Sequence, residues 1–259
     1  MISVVKDEVI INNLKSCKMK INNQSIIGNI VAENYTAASV FNKYKIDFCC
    51  NGNQTIANAI KNKQLNEEVL INELNEAINE KSQTGIDFKL FPLDLLADYI
   101  EKTHHRYIDT KIPEISPYLK KVVSVHGKSH PELFQVEQLF KESAEDLSGH
   151  LRKEELMLFP YIRQLVKAKL SGGAKPVTKM GDVAEYIALM EDEHDAEGER
   201  FRTISKLTDN YNPPADACNT YRVTFSLLKE FEEDLHKHIH LENNILFPKS
   251  IAMTKEMTA

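Results

Sequence analysis

Scarcity organises this chain before any motif does. Tryptophan is absent, glycine occurs only nine times in 259 residues, and the two-residue apolar alternation that strands require hardly appears. A sheet-based fold is therefore excluded, and 3.6-residue periodicity is left to build the core. Cysteine is confined to Cys17, Cys49, Cys50 and Cys218, too few and too irregularly spaced for a disulfide framework, which points to a reducing compartment. No apolar run approaches the roughly 18–20 residues that cross a bilayer. The opening stretch, MISVVKDEVIINNLKSCKMK, interrupts its apolar patches with charge and lacks the apolar segment of a signal peptide. A cytoplasmic, membrane-free protein is expected. A net charge of −6 without a basic tract excludes nucleic acid as a partner. What is present, 42% apolar and 27% charged residues, suffices for an ordinary core.

The periodic segments divide the chain unevenly. Residues 1–27 read as a polar leader. Residues 28–82 read as a small helical domain, broken by KIDFCCNGNQT, where Asn51-Gly52 signals a turn. KSQTGIDFKLFP resembles a linker. From 90 to 252 four long helical patterns follow: 92–125, bent by Pro113 and Pro117; 131–168, with Pro131 in its first turn; 179–208, after LSGGAKPVT; and 214–250, after DNYNPPAD. The expected fold is all-α, a four-helix bundle preceded by a small helical amino-terminal domain.

Two of these helices carry the same phrase. HLRKEELMLFP runs from His150 to Pro160 and HIHLENNILFP from His238 to Pro248, both of the form His-x-x-x-Glu-x-x-x-Leu-Phe-Pro, so the bundle reads as a duplicated helix pair. Residues four apart share a helix face. On the fourth helix the apolar stripe Tyr221, Phe225, Leu228, Phe231, Leu235 and Ile245 is interrupted at His238 and Glu242. On the second, Val136, Phe140, Leu147, Met157 and Tyr161 are interrupted at His150 and Glu154. A buried carboxylate costs several kcal/mol unless it is paired or metal-bound, and no Lys or Arg shares these stripes. The other helices add one imidazole each: Leu93, Ala97 and Ile100 lead to His104, and Val183, Ile187 and Met190 lead to His194. Four imidazoles and two carboxylates converging from four helices form a binuclear metal site.

The remaining histidines fall elsewhere. His105 lies with Asp98, Glu101 and Asp109 on a polar face; His236 and His240 line up with Lys229, Glu233 and Asn244 on the wet side; His126 and His130 flank a turn. Mixed imidazole and carboxylate ligands suit iron, manganese or zinc. Two glutamates on opposing helices can bridge two ions and leave open positions for oxo groups, O₂ or NO, so two non-haem irons per chain are expected. A ferritin-like oxidase would instead use Glu101 and Glu191, each three residues before a histidine, but both sit beside the stripes.

These motifs carry a resemblance. Residues 90–250, through THHRY with His104, HLRKEELMLFP, EDEHD with His194 and HIHLENNILFP, resemble a hemerythrin-like domain. With IGNIVAENYTAASVFNKYKIDFCCNGNQTIANAI, the chain resembles the di-iron proteins for repair of iron centres, the ScdA/YtfE type. The resemblance implies an oxo/carboxylate-bridged di-iron centre and a homodimer. It also implies a role in restoring iron–sulfur clusters damaged by oxidative or nitrosative stress, with damaged cluster proteins, NO and O₂ as partners, through iron donation or NO reduction. One departure is Asn51, which stands where a small residue is expected. A simple O₂ or NO carrier or sensor would not need the cysteine-bearing amino-terminal domain. Neighbouring Cα atoms lie about 3.8 Å apart, too close for an unstrained disulfide. Cys49 and Cys50 are therefore either packing thiols or a reactive pair serving iron, NO or clusters.

Overall fold

The computed structural model describes residues 20–61, 63, 65–79 and 86–258; within them the chain is helical, with one isolated bridge between Ile26 and Thr55. Four short helices, α1 (Ile27–Glu33), α2 (Ala37–Lys43), α3 (Ile56–Ile60) and α4 (Glu67–Asn79), make the small domain. It begins earlier than the pattern suggested, since Ile21 is already buried and Ile26 already pairs. Most of the expected leader and linker lies outside the described residues. Among the described residues no helix is long and apolar enough to cross a membrane.

The bundle consists of four rods, three of them interrupted. α5 (Leu93–Ile100) continues into α6 (Arg106–His126) through a wide π turn at Glu101–His105. α7 (Glu132–Lys153) continues into α8 (Phe159–Ser171) through Glu154–Leu158, α9 (Val183–Leu207) is unbroken, and α10 (Asn219–Leu241) continues into α11 (Phe247–Glu256) through Glu242–Leu246. Two of the interruptions have a visible cause. Pro160 and Pro248 cannot donate to the carbonyls of Leu156 and Asn244, so the ladder widens just before them. Pro113 and Pro117, by contrast, do not break α6. Both are exposed, and the carbonyls that lose a partner belong to Asp109 and Pro113, themselves exposed residues.

α6 packs between α7 and α10, and α9 closes the ring against both. Inside the ring the apolar residues fall into two clusters. One takes Ile108–Val123, Leu133–Leu151, Phe201–Ile204 and Tyr221–Ile239; the other takes Leu93–Ile100, Leu158–Val166, Val183–Met190 and Leu241–Phe247. Every rod changes cluster at its histidine or glutamate, so a polar layer divides the core in two.

The small domain shares the first of these clusters: Ile27, Ile30, Phe41, Phe48 and Cys49 belong to the same buried set as Phe201, Leu235 and Ile239. Phe48 meets the rings of His236 and His240 edge-on at 6.2 and 5.8 Å, and Tyr35 lies 5.9 Å from His240. Arg202 on α9 reaches Asp47 at 2.8 Å. The domain thus covers His236, His240 and Asn244 on the face that the helical pattern assigned to solvent, while Lys229 and Glu233 stay exposed.

Burial also shifts one carboxyl on α10. Burial pushes Glu232 up to about 7, only partly opposed by the Tyr211 hydroxyl beside it. The folded protein therefore holds a proton that the unfolded chain has released by about pH 4.5, and stability falls as pH rises from there to about 7. Glu232→Gln is expected to flatten chemical-denaturation midpoints across that window and to raise the midpoint at pH 8. An unchanged slope would remove Glu232 from the account.

Candidate metal centre

A π turn inserts one residue into a helical face and so rotates everything beyond it by about 100°. Upstream of Glu101–His105 the stripe is Leu93, Ala97 and Ile100, which leads in α-helical register to His104. Downstream, Ile112 and Leu119 stand one and two heptads after residue 105. The two stripes are out of phase by one position, and the π turn absorbs the difference. The residue delivered to the polar layer is His105. The same shift makes Leu158 and Phe159 core residues in place of Met157, which is only half-buried.

The layer holds two overlapping groups. In one, His105, Glu154, His238 and Glu242 converge; in the other, His150, Glu154, His194 and Glu242. The contacts are His105 Nε2–Glu154 Oε2 3.4 Å, His238 Nε2–Glu242 Oε2 3.0 Å, His150 Nε2–Glu154 Oε2 3.4 Å and His194 Nε2–Glu242 Oε2 3.3 Å. His150 Nε2 and His194 Nε2 stand 2.9 Å apart, the edge that two adjacent ligands with bonds of about 2.1 Å make at a right angle. Both glutamates are fully buried, yet beyond these ion-pair approaches their four carboxylate oxygens, His105 Nε2 and His238 Nε2 lack a well-formed hydrogen bond; His104 Nε2, outside both groups, lacks one too. Buried polar atoms are rarely left so. A cation at each group would satisfy the atoms of that group, and Glu154 and Glu242 belong to both groups.

The far side of each ring is organised for that task. His105 Nδ1 donates to Glu155 at 3.0 Å, His150 Nδ1 to Glu193 at 2.8 Å, and His194 Nδ1 to the Asn243 side-chain oxygen at 2.7 Å. Each bond places the proton on Nδ1 and turns the Nε2 lone pair inward. Lys153 also binds Glu193; the His150 contact and this lysine hold the Glu193 carboxyl down at about 2. Burial pushes His194 down to about 3. At His105 burial works the same way, but Glu154 and Glu242 outweigh it and take the ring up to about 10. The site draws positive charge inward.

Of the six residues expected from the pattern, five meet here: His150, Glu154, His194, His238 and Glu242. His104 does not. Its Nδ1 donates to Asp234 at 2.9 Å and its ring stacks parallel to His238 with centroids 5.9 Å apart. His105, assigned by a continuous α-helix to the polar face, has no exposed surface and takes the vacant position. His236 and His240 are likewise not solvated: both are drawn under the small domain, and burial lowers them to about 4 and about 3. Glu101 is engaged by Arg163, and Glu191 falls outside both groups, which removes the ferritin-like arrangement. His126 lies beside the exposed Cys218, and His130 beside Asp216, away from the layer. The outer partners Glu155, Glu193 and Asn243 escaped the pattern, although each adjoins a ligand in sequence.

Cys49 and Cys50 are brought to the edge of the centre. Both thiols are free, with sulfurs 3.7 Å apart. Cys49 is buried and donates to Asp47 at 3.3 Å; its contact with Cys50, then its burial, hold the thiol well above its usual range. Cys50 Sγ lies 3.4 Å from the backbone carbonyl of His194, and a Cβ on Gly198, one turn further along α9, would stand only 3.0 Å from that sulfur. Asn51 is not a misfit in this turn, because its side chain donates to Asp47 at 2.9 Å.

Fold and site together define a hemerythrin-like protein. Residues 96–250 match the hemerythrin HHE cation-binding domain, and residues 23–78 match the ScdA_N domain, a domain of unknown function (DUF542). The chain is 36% identical over 229 residues to the iron–sulfur cluster repair protein ScdA of Staphylococcus haemolyticus (strain JCSC1435), covering 88% of this chain and 99% of that one. It is 32% identical over 226 residues to the iron–sulfur cluster repair protein YtfE of Escherichia coli O17:K52:H18, covering 87% and 96%. To YtfE of Musicola paradisiaca it is 34% identical over 215 residues, covering 83% and 90%. The chain belongs to the ScdA/YtfE family of iron–sulfur cluster repair proteins.

Proposed function

We propose that this protein takes part in restoring iron–sulfur clusters damaged by oxidative and nitrosative stress, using an iron pair held by His105, His150, Glu154, His194, His238 and Glu242. The observation that carries the reading is the pair of buried ligand sets sharing both carboxylates, with a free thiol 3.4 Å from the backbone carbonyl of His194. Nitrogen and carboxylate donors suit iron. When bound, such a pair supplies redox capacity and open positions for O₂, NO or exchangeable iron. The chain's own residues do the rest. Glu155, Glu193 and Asn243 hold the imidazoles in their ligating tautomers. Two apolar clusters keep bulk water from the layer. Cys50, the less buried of the vicinal pair, offers a soft sulfur ligand at its rim, with Cys49 beside it. The partners of this reading are proteins with damaged clusters, together with NO and O₂.

Iron analysis and Mössbauer spectroscopy of the purified protein test the centre. Recovery of a peroxide- or NO-inactivated iron–sulfur enzyme tests the function, and no recovery with the iron-loaded wild type would refute it. The Cys49→Ser/Cys50→Ser double variant is expected to keep its two irons, because the bundle is untouched, and to restore that enzyme several-fold more slowly. Equal rates would assign the pair to packing alone.

A further inference from the structure

One π turn carries three different connections in three consecutive residues. Glu242 belongs to both ligand groups, Asn243 orients His194, and Asn244 leaves the bundle altogether and enters the small domain. The Asn244 side-chain amide donates to the carbonyl of Cys49 at 3.2 Å, with the Phe48 carbonyl at 3.5 Å and His240 Nδ1 at 3.2 Å around the same nitrogen. Its oxygen lies in a notch between two glycines that pair through Gly28 N–H donating to the Gly52 carbonyl at 2.7 Å. A Cβ on Gly28 would fall 2.1 Å from Asn244 Oδ1, and one on Gly52 would fall 2.8 Å from it. No other side chain could be accommodated at Gly28 without displacing Asn244 or lifting the domain. The notch is therefore shaped around this amide.

We infer that Asn244 is a positioning residue that latches the Cys49–Cys50 turn to the metal centre. It fixes where the Cys50 thiol lies against α9, and it carries an adjustment of the Glu242–Leu246 turn on metal loading to the cysteines. Phe48 against His236 and His240 and Asp47 against Arg202 attach the domain outside the ligand turn; α1 packs on that turn, and Asn244 is its side chain that hydrogen-bonds to the Cys49 carbonyl. This goes beyond the metal reading, and its core can be tested without iron.

The test is the alkylation rate of Cys50 by iodoacetamide in the full chain, mapped by mass spectrometry, with exposed Cys218 as the internal reference. In metal-free protein Asn244→Ala is expected to speed Cys50 labelling roughly tenfold, the effect of losing one buried hydrogen-bonded group, with the Cys218 rate unchanged. In wild type, iron loading is expected to change the Cys50 rate several-fold, and in Asn244→Ala that iron dependence is expected to vanish while iron content stays at the wild-type value. Gly28→Ala should loosen Cys50 as well, and Gly28→Ala/Asn244→Ala should label no faster than the faster single variant, because both changes break one contact. A Cys50 rate within twofold of wild type in Asn244→Ala overturns the latch. So do additive effects in the double variant, an iron dependence that survives the substitution, or loss of iron from Asn244→Ala. If wild type itself takes up no iron, the metal reading fails, and the metal-free rates still decide the latch.

Discussion

His105→Ala is expected to lower bound iron from two per chain to one or fewer, whereas His104→Ala is expected to keep two. The contrast is large because the residues are adjacent and both almost wholly buried, so neither exposure nor composition separates them. Geometry does. His105 Nε2 faces Glu154 and Glu242, while the His104 ring spends its Nδ1 on Asp234. Removing a partner of a metal ligand typically costs about 10–100-fold in affinity, and removing a ligand costs more. His104→Ala leaves Asp234 unpaired and carries a stability penalty of about 1–3 kcal/mol, read as a lower melting temperature at full iron content. Iron measured on both variants after identical reconstitution checks the assignment. If His104→Ala loses iron and His105→Ala retains it, the helix runs in α register through residue 104 and the π turn is not what sets the site.

A second large effect separates the carboxylates from the imidazoles. Glu154 and Glu242 belong to both ligand groups, whereas each histidine belongs to one. Glu242→Ala is therefore expected to leave no stoichiometric iron, and His194→Ala to leave up to one. The same variants differ in stability. Binding to the native state alone stabilises it by mass action, about 2.7 kcal/mol at a hundredfold excess over Kd. The rise in melting temperature on adding ferrous iron should therefore be absent in Glu242→Ala and reduced in His194→Ala. One iron retained in Glu242→Ala would show that the two groups do not share that carboxylate.

Much of this protein follows from pattern. The doubled His-x-x-x-Glu-x-x-x-Leu-Phe-Pro phrase sets His150, Glu154, His238 and Glu242 into apolar stripes. A carboxylate in such a stripe is so costly without a counter-charge that a cation site is implied before any coordinates exist. His194 follows from the same spacing on an unbroken helix, where α9 keeps one register from Val183 to Ile204. The all-helical class and the four long segments are equally local properties, set by 3.6-residue periodicity and by proline and glycine placement.

Packing decided the rest. A one-residue π insertion is invisible to periodicity measured on either side of it, so His104 and His105 exchanged roles, and only the joined core of α5 and α6 chose between them. The face of α10 bearing His236 and His240 has a polar pattern, yet it is covered, because burial is a property of what docks and not of the helix alone. The Cys49–Cys50 turn reached the metal centre for the same reason. Its distance along the chain from His194 is long, and the contacts that closed it, Asn244 in the glycine notch, Arg202 on Asp47 and Cys50 against Gly198, exist only between elements that meet in the folded molecule.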